Sequence, residues 1–288
     1  MGEDALIIGR AKTGTTFLAR SVAGALGADT RYLSEPKTPD EAMAGAGAAP
    51  RAVKIIFEHW DEPALRTVIE NPAFGARLAI VRDPRDEYVS RALFMVRAEI
   101  WSGRAGRRQV EAWADVLRKK EDAPRATSFS ELMAAYGRIF PDAKGAPGLK
   151  NFARGFERYL DFLDAAEMAR VRYETFASGD FGEVSAATGR TVAPATDLGG
   201  QWYTKRGAGA GDWRRLFTID DLERLQAELG AVVARAGYDD WALDPDPVLD
   251  PAHFSGYVGA LWRHFASRPG GWRVRLGRVL QGLASSAR

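Results

Sequence analysis

Apolar residues recur along this chain at two spacings. Ala5-Leu6-Ile7-Ile8 is a short continuous apolar run, the pattern of a strand buried on both faces. From residue 16 to 26 the period changes. Phe17, Leu18, Ser21, Val22, Ala25 and Leu26 fall on one helical face, and Gly27 supplies a stop. The chain thus opens with a strand, a loop and a helix. Residues 28–50, rich in Ala, Gly and Pro, predict irregular structure. Residues 52–57 predict a second strand, 62–70 a helix and 77–81 a third strand. Asp83-Pro84 then marks a helix start, with Asp as cap and Pro at the first helical position; that helix should run to about residue 100. Further helices fit 107–120, 129–140 and 150–164. Residues 169–173 predict a fourth strand and 219–237 a helix, with Asp220 and Asp221 early and Gly237 at its end.

Strands alternating with helices imply an α/β fold, a three-layer sandwich with a central parallel sheet between helices. No internal repeat interrupts the pattern. Residues 1–245 read as one domain and 246–288 as a basic C-terminal extension of it. The length, 288 residues, supplies an ample core without disulfide or metal staples.

Composition narrows the function. With no cysteine, disulfides and thiolate metal sites are excluded. His59, His253 and His264 are too scattered for a zinc motif, so no metal is expected. Forty basic residues against 38 acidic ones give a net charge of +2, which lends no support to nucleic-acid binding. Charge is uneven only at the end: Arg263, Arg268, Arg273, Arg275, Arg278 and Arg288 lie in an acid-free stretch. Such a tail suits a solvated terminus or a peripheral contact with an anionic membrane. Residues 1–9 are too short and too acidic for a signal segment, and no apolar run is long enough to span a bilayer. The expected location is the cytoplasm.

The candidate chemistry begins in the first loop. Gly9-Arg10-Ala11-Lys12-Thr13-Gly14-Thr15-Thr16 joins a strand to a helix, where backbone N–H groups and the helix dipole favour an anion. Gly14 permits close backbone approach, and Thr15 and Thr16 add hydroxyls. A Walker A loop has its lysine directly after the second glycine. Here Thr15 holds that position, and Lys12 sits two residues before Gly14. The displaced lysine speaks against an ordinary ATPase or kinase.

Arg10 to Leu18 resembles the 5′-phosphosulfate loop of sulfotransferases, written P-K-[ST]-G-T-T-W-L, with Ala11 for Pro and Phe17 for Trp. Residues 81–90, with Arg82, Asp83, Pro84, Arg85, Asp86 and Ser90, resemble the same family's 3′-phosphate segment. Arg82 leaves the C-terminal end of a strand, where open parallel sheets bind ligands. Arg82 and Ser90 would clamp one phosphate by charge-assisted and hydroxyl hydrogen bonds. Val171-Arg172-Tyr173-Glu174 resembles the family's R-Y-E-D strand end, whose tyrosine meets adenine. Residues 205–214, from Lys205, Arg206 and Gly207 to Trp213, resemble its R-K-G-x-x-G-D-W loop with one residue added, which leaves the phosphate contact open between Lys205 and Arg206.

This resemblance, spanning about residues 5–218, implies a P-loop-like fold and a transfer reaction. The donor would be 3′-phosphoadenosine 5′-phosphosulfate (PAPS), the product adenosine 3′,5′-bisphosphate (PAP), with no metal. The donor contacts it implies are Arg10, Lys12, Thr13, Gly14, Thr15, Thr16, Arg82, Ser90, Tyr173, Lys205, Arg206 and Gly207. Lys12 would stabilise charge on the leaving phosphate. A base for the acceptor is drawn from His59, Glu35 and Glu58, in that order. His59 follows Lys54 by five residues in Lys54-Ile55-Ile56-Phe57-Glu58-His59, farther than the family's spacing. In Ser34-Glu35-Pro36-Lys37-Thr38, the family's K-E-P glutamate would fall on Thr38, and Glu35 stands nearby. Trp101, Trp113, Phe129, Phe140 and Trp262 offer apolar surface for an acceptor, with carbohydrate, lipid-linked sugar and small alcohol all open. Two other classes remain: a magnesium-dependent P-loop kinase of a small molecule, and a non-catalytic nucleotide-binding or membrane-associated module.

Overall fold

Asp4–Gly9 (β1) is the middle strand of a five-stranded sheet in a computed structural model that describes residues 2–143, 148–166, 168–204 and 209–266. The other strands are Arg31–Ser34 (β2), Arg51–Ile56 (β3), Phe74–Val81 (β4) and Ala169–Arg172 (β5), in the order β2-β3-β1-β4-β5. Every pairing is parallel. All strands therefore end on the same edge, and Gly9 pairs level with Ile56 and Ile80 there. Leu6, Ile7 and Ile8 are all fully buried, as a strand covered on both faces requires.

The helices follow from amphipathic stripes between the strands. Thr15–Leu26 (α1) buries Phe17, Leu18 and Val22 against Ala5, Ile7, Leu78 and Ile80. Gly182–Thr188 (α9) adds Val184 to that cluster, with Phe181 just before it. Leu149–Ala166 (α7) buries Phe152, Phe156, Tyr159, Phe162 and Leu163. The Tyr159 hydroxyl donates to the Ile80 carbonyl (2.9 Å), with the Ile8 carbonyl at 3.3 Å. At the opposite edge, Arg51 Nε and Nη2 grip the buried Asp4 carboxylate at 2.9 and 2.5 Å.

Pro39–Met43 (α2) and Glu62–Ile69 (α3) are capped by Thr38 and Asp61, whose side chains accept from Glu41 N and Ala64 N. Pro84–Trp101 (α4), Arg107–Asp122 (α5), Phe129–Ile139 (α6), Tyr173–Ala177 (α8), Asp212–Leu216 (α10), Ile219–Arg235 (α11) and Ser255–Ala266 (α12) are the other α-helices among the described residues. No helix among the described residues is long and apolar enough to cross a membrane.

The chain divides into two compact units. The first comprises Met1–Tyr88, Leu149–Ala210 and Glu228–Asp239, and it holds the sheet. The second comprises Val89–Gly148, Gly211–Ala227 and the residues from Asp240 onward. It is helical. Within it Trp113 packs edge-on to Tyr136, and Asp221 caps α6 by accepting from Phe129 N (2.7 Å) and Ser130 N (3.3 Å). Arg125 donates to the carbonyls of Arg214, Arg215, Phe217 and Asp244, tying the last turn of α10 to Phe217 and Asp244.

Two stretches differ from the expectation. Residues 28–50 contain β2 and α2 rather than irregular chain. β2 is an edge strand with exposed or half-buried residues throughout, so it shows no apolar alternation; backbone pairing with β3 defines it. The expected strand to residue 57 stops at Ile56, and Phe57–His59 forms one turn of 3-10 helix. Phe57 leaves the strand because its ring packs on Tyr159 and Phe162, at 5.0 and 5.2 Å between centroids.

Candidate functional site

The loop after β1 turns on two residues in the left-handed region. Lys12 has φ 72° and Gly14 φ 83°. Glycine carries that conformation without strain, whereas lysine must be held in it. Thr13 closes the turn: its N and Oγ1 both donate to the Arg10 carbonyl, at 3.3 and 2.7 Å. Gly14 is also required by space. A Cβ there would lie 2.7 Å from the Tyr173 ring. α1 begins at this glycine with no side-chain cap and no acidic residue in its first turn. Thr15 and Thr16 stand in that turn, both buried. The arrangement presents N–H dipoles to the sheet edge, the local chemistry of an anion site.

Neighbouring strands brace the loop. Arg82, at the end of β4, donates from Nη1 to the Lys12 carbonyl (2.8 Å), and its guanidinium lies 4.1 Å above the centre of the Tyr173 ring. Tyr173 in turn sits against Gly14, so Arg82, Tyr173 and the loop form one contact group. Lys12 Nζ donates to the Thr204 carbonyl at 3.2 Å. Arg10 turns the other way. It is 2% exposed, its Nε donates to Glu87 (2.9 Å), and its guanidinium lies over Phe152 and Phe156. Gly155 makes room for it, since a Cβ there would stand 3.3 Å from Arg10 Nη1. Glycine inside a helix costs about 0.5–1 kcal/mol relative to alanine; the Arg10 packing occupies the space it leaves.

The next rim positions lie at the ends of β2 and β3. Glu35 follows β2 with φ 56°, and Lys54 is the third-last residue of β3. Lys54 Nζ is buried and donates to Glu35 Oε1 (2.8 Å) and to Thr16 Oγ1 (3.1 Å). His59, 46% exposed, has Nδ1 3.2 Å from Lys37 Nζ and 3.9 Å from Glu35 Oε2. Burial opposes ionisation of Glu35, but the Lys54 hydrogen bond and the charges of Lys54, His59 and Lys37 outweigh it and hold its carboxyl below the usual range. Glu58 is engaged elsewhere: Oε2 accepts from Ala11 N at 3.1 Å, and Oε1 lies 3.9 Å from Arg10 Nη2.

The first unit thus brings together Lys12, Thr13, Gly14, Thr15, Thr16, Arg82 and Tyr173 as one group, with Glu35 and His59 on an adjoining one. Ser90 is buried on α4 and belongs to the second unit. Lys205, Arg206 and Gly207 lie outside the described residues, as do the tail arginines from Arg268 onward. Lys54 is the residue sequence reasoning passed over. Its signal was visible, an isolated lysine inside the apolar run Val53 to Phe57. A charge at a buried strand position needs partners, and Glu35 and Thr16 supply them.

No protein-family model and no curated protein matches the chain. Among solved structures, a sulfotransferase from Alicyclobacillus acidocaldarius is similar at 19% identity and a TM-score of 0.39, covering 82% of this chain and 94% of that one. Likeness at this level leaves any functional assignment to the chain's own residues.

Proposed function

We propose that this chain is a sulfotransferase that moves a sulfuryl group from PAPS to a hydroxyl or amine. One observation carries the reading. α1 begins at left-handed Gly14 with neither a side-chain cap nor an acid in its first turn, and Lys12, Thr15 and Thr16 surround that end. Such a cradle suits the 5′-phosphosulfate of the donor. Arg82 and Tyr173, in contact with the same loop, suit the 3′-phosphate and the adenine of PAPS.

In the transfer, the acceptor oxygen or nitrogen forms a bond to sulfur as the bond from sulfur to the bridging oxygen breaks. The electron pair of that bond stays with the departing PAP. Lys12 and the first-turn amides stabilise the charge it gains, which is electrostatic catalysis by groups already in position. The acceptor's proton passes to His59 or Glu35. Glu35, kept ionised by Lys54, accepts hydrogen bonds and orients the acceptor. A carbohydrate or lipid-linked sugar fits this chemistry.

PAP is the probe for the test. A ligand that binds only the folded state at about 100 times its Kd stabilises by ~2.7 kcal/mol. PAP without magnesium should therefore raise the melting temperature. A response to ATP with magnesium and none to PAP would sink the proposal and favour a kinase.

A further inference from the structure

Behind Arg82 and Tyr173 lies a carboxylate that the transfer chemistry does not use. Glu174 follows Tyr173 directly. Its Oε1 accepts from the backbone N of Asp83 at 3.0 Å, and its Oε2 accepts from the Tyr238 hydroxyl at 2.6 Å. Asp83 is the residue after Arg82, so a single side chain pins the strand ends that carry Arg82 and Tyr173. Asp83 is itself immobilised, because its carboxylate accepts from Arg85 N, Nε and Nη2 at 2.9, 2.9 and 2.8 Å.

Tyr238 is equally fixed. It stands just past α11, and the Arg172 guanidinium lies 4.9 Å above its ring centre. Gly237, at φ 81°, gives the turn into Tyr238; a Cβ there would lie 2.6 Å from Arg172 Nη2. Burial first, then the Glu174 charge and hydrogen bond, push the Tyr238 hydroxyl's pKa well up, against the opposing Arg172 charge. The hydroxyl therefore remains a hydrogen-bond donor across the working pH range. These residues all belong to the first unit.

We infer that Glu174 and Tyr238 are positioning residues of the donor site: Tyr238 holds Glu174, and Glu174 sets Arg82 and Tyr173 at the spacing in which both meet the nucleotide end of the donor. Neither touches the reacting sulfur. Their loss therefore weakens binding of the 3′-phosphoadenosine portion and leaves the chemical step intact. This rests on the PAPS reading above.

The test measures PAP Kd by calorimetry, with KM for PAPS and kcat, in the full chain. A hydrogen bond to a charged group contributes about 1.5–3 kcal/mol, so Glu174→Ala should raise Kd and KM roughly tenfold or more. Tyr238→Phe, which keeps the ring and removes only the hydroxyl, should raise both by roughly three- to tenfold, with kcat held within about twofold. Glu174→Gln keeps an acceptor for Asp83 N and should recover most of the lost affinity. Should Glu174→Ala fail to fold, Tyr238→Phe decides. If wild-type chain binds PAP while Tyr238→Phe binds it unchanged, and Glu174→Ala, where folded, does too, the positioning role is overturned and the donor reading stands. A fall in kcat at unchanged KM overturns it as well. Failure of the wild-type chain to bind PAP overturns the donor reading, and the positioning role with it.

Discussion

The loop after β1 and the rim formed by Glu35, Lys54 and His59 border the same sheet edge, yet they are built differently. The loop is determined by its backbone: two left-handed residues, a closed threonine turn and a ring packed where a side chain would otherwise be. The rim is determined by side chains. One buried lysine reaches from β3 to a glutamate and a threonine, and the histidine beside it is half-exposed. A backbone site is rigid before its ligand arrives, whereas a side-chain site retains rotamer freedom and adjusts to it. A common donor and variable acceptors would call for this division.

The largest effect should come from Lys12→Ala. Removing one electrostatic stabiliser of a departing group costs about 10²–10³ in kcat. The melting temperature of the free protein should stay close to wild type, since the side chain's bond to the Thr204 carbonyl is only part-buried. Turnover at the wild-type rate would remove Lys12 from the chemistry.

Gly14→Ala tests whether the loop is set by its backbone. Left-handed strain costs about 1–3 kcal/mol, and the new Cβ would press on the Tyr173 ring. Calorimetry should show PAP affinity falling by at least tenfold while Glu35→Gln leaves it near wild type. Equal losses in the two variants would erase the distinction between loop and rim.

The rim itself should respond less. His59→Ala should lower kcat more than Glu35→Gln, because imidazoles suit proton transfer near neutrality, whereas Lys54 first among the charges makes Glu35 a weaker base. The reverse order would make Glu35 the proton acceptor. The smallest effect concerns pH. Glu35 has its carboxyl lowered from 4.5, so its contribution to stability is present above 4.5 and lost as pH falls through the folded value. In thermal melts, wild type should lose stability below pH 4.5 more steeply than Glu35→Gln. The difference should be under about 1 kcal/mol, given the exposure of the carboxylate.

What could be read from the sequence follows the same division. β1, α1, β4 and the start of α4 were legible because apolar runs, a glycine loop and Asp83-Pro84 are local signals. Gly14 was legible as a residue that lets the backbone come close, but the Tyr173 ring packed against it was not. β2 was not, because an edge strand with little buried surface has no alternation to show. The fate of Glu58 was also hidden. Placed beside His59 in sequence, it reads as a candidate base, but its carboxylate binds Ala11 N, 47 residues away. Long-range side-chain partners leave no spacing to read. Lys54 falls between these cases: its burial in a strand was readable, its partners were not.

The central place of β1 has a consequence for how the molecule comes into being. The strand is made before its neighbours β3 and β4, and Arg82 follows Lys12 by 70 residues. Long-range parallel pairing is slow because loop closure must precede the contacts that reward it. β1 therefore waits as an apolar segment without its sheet, exposed to aggregation or to a chaperone until β4 is made. The strand that leads into the Gly14 loop is thus synthesised early and matures late.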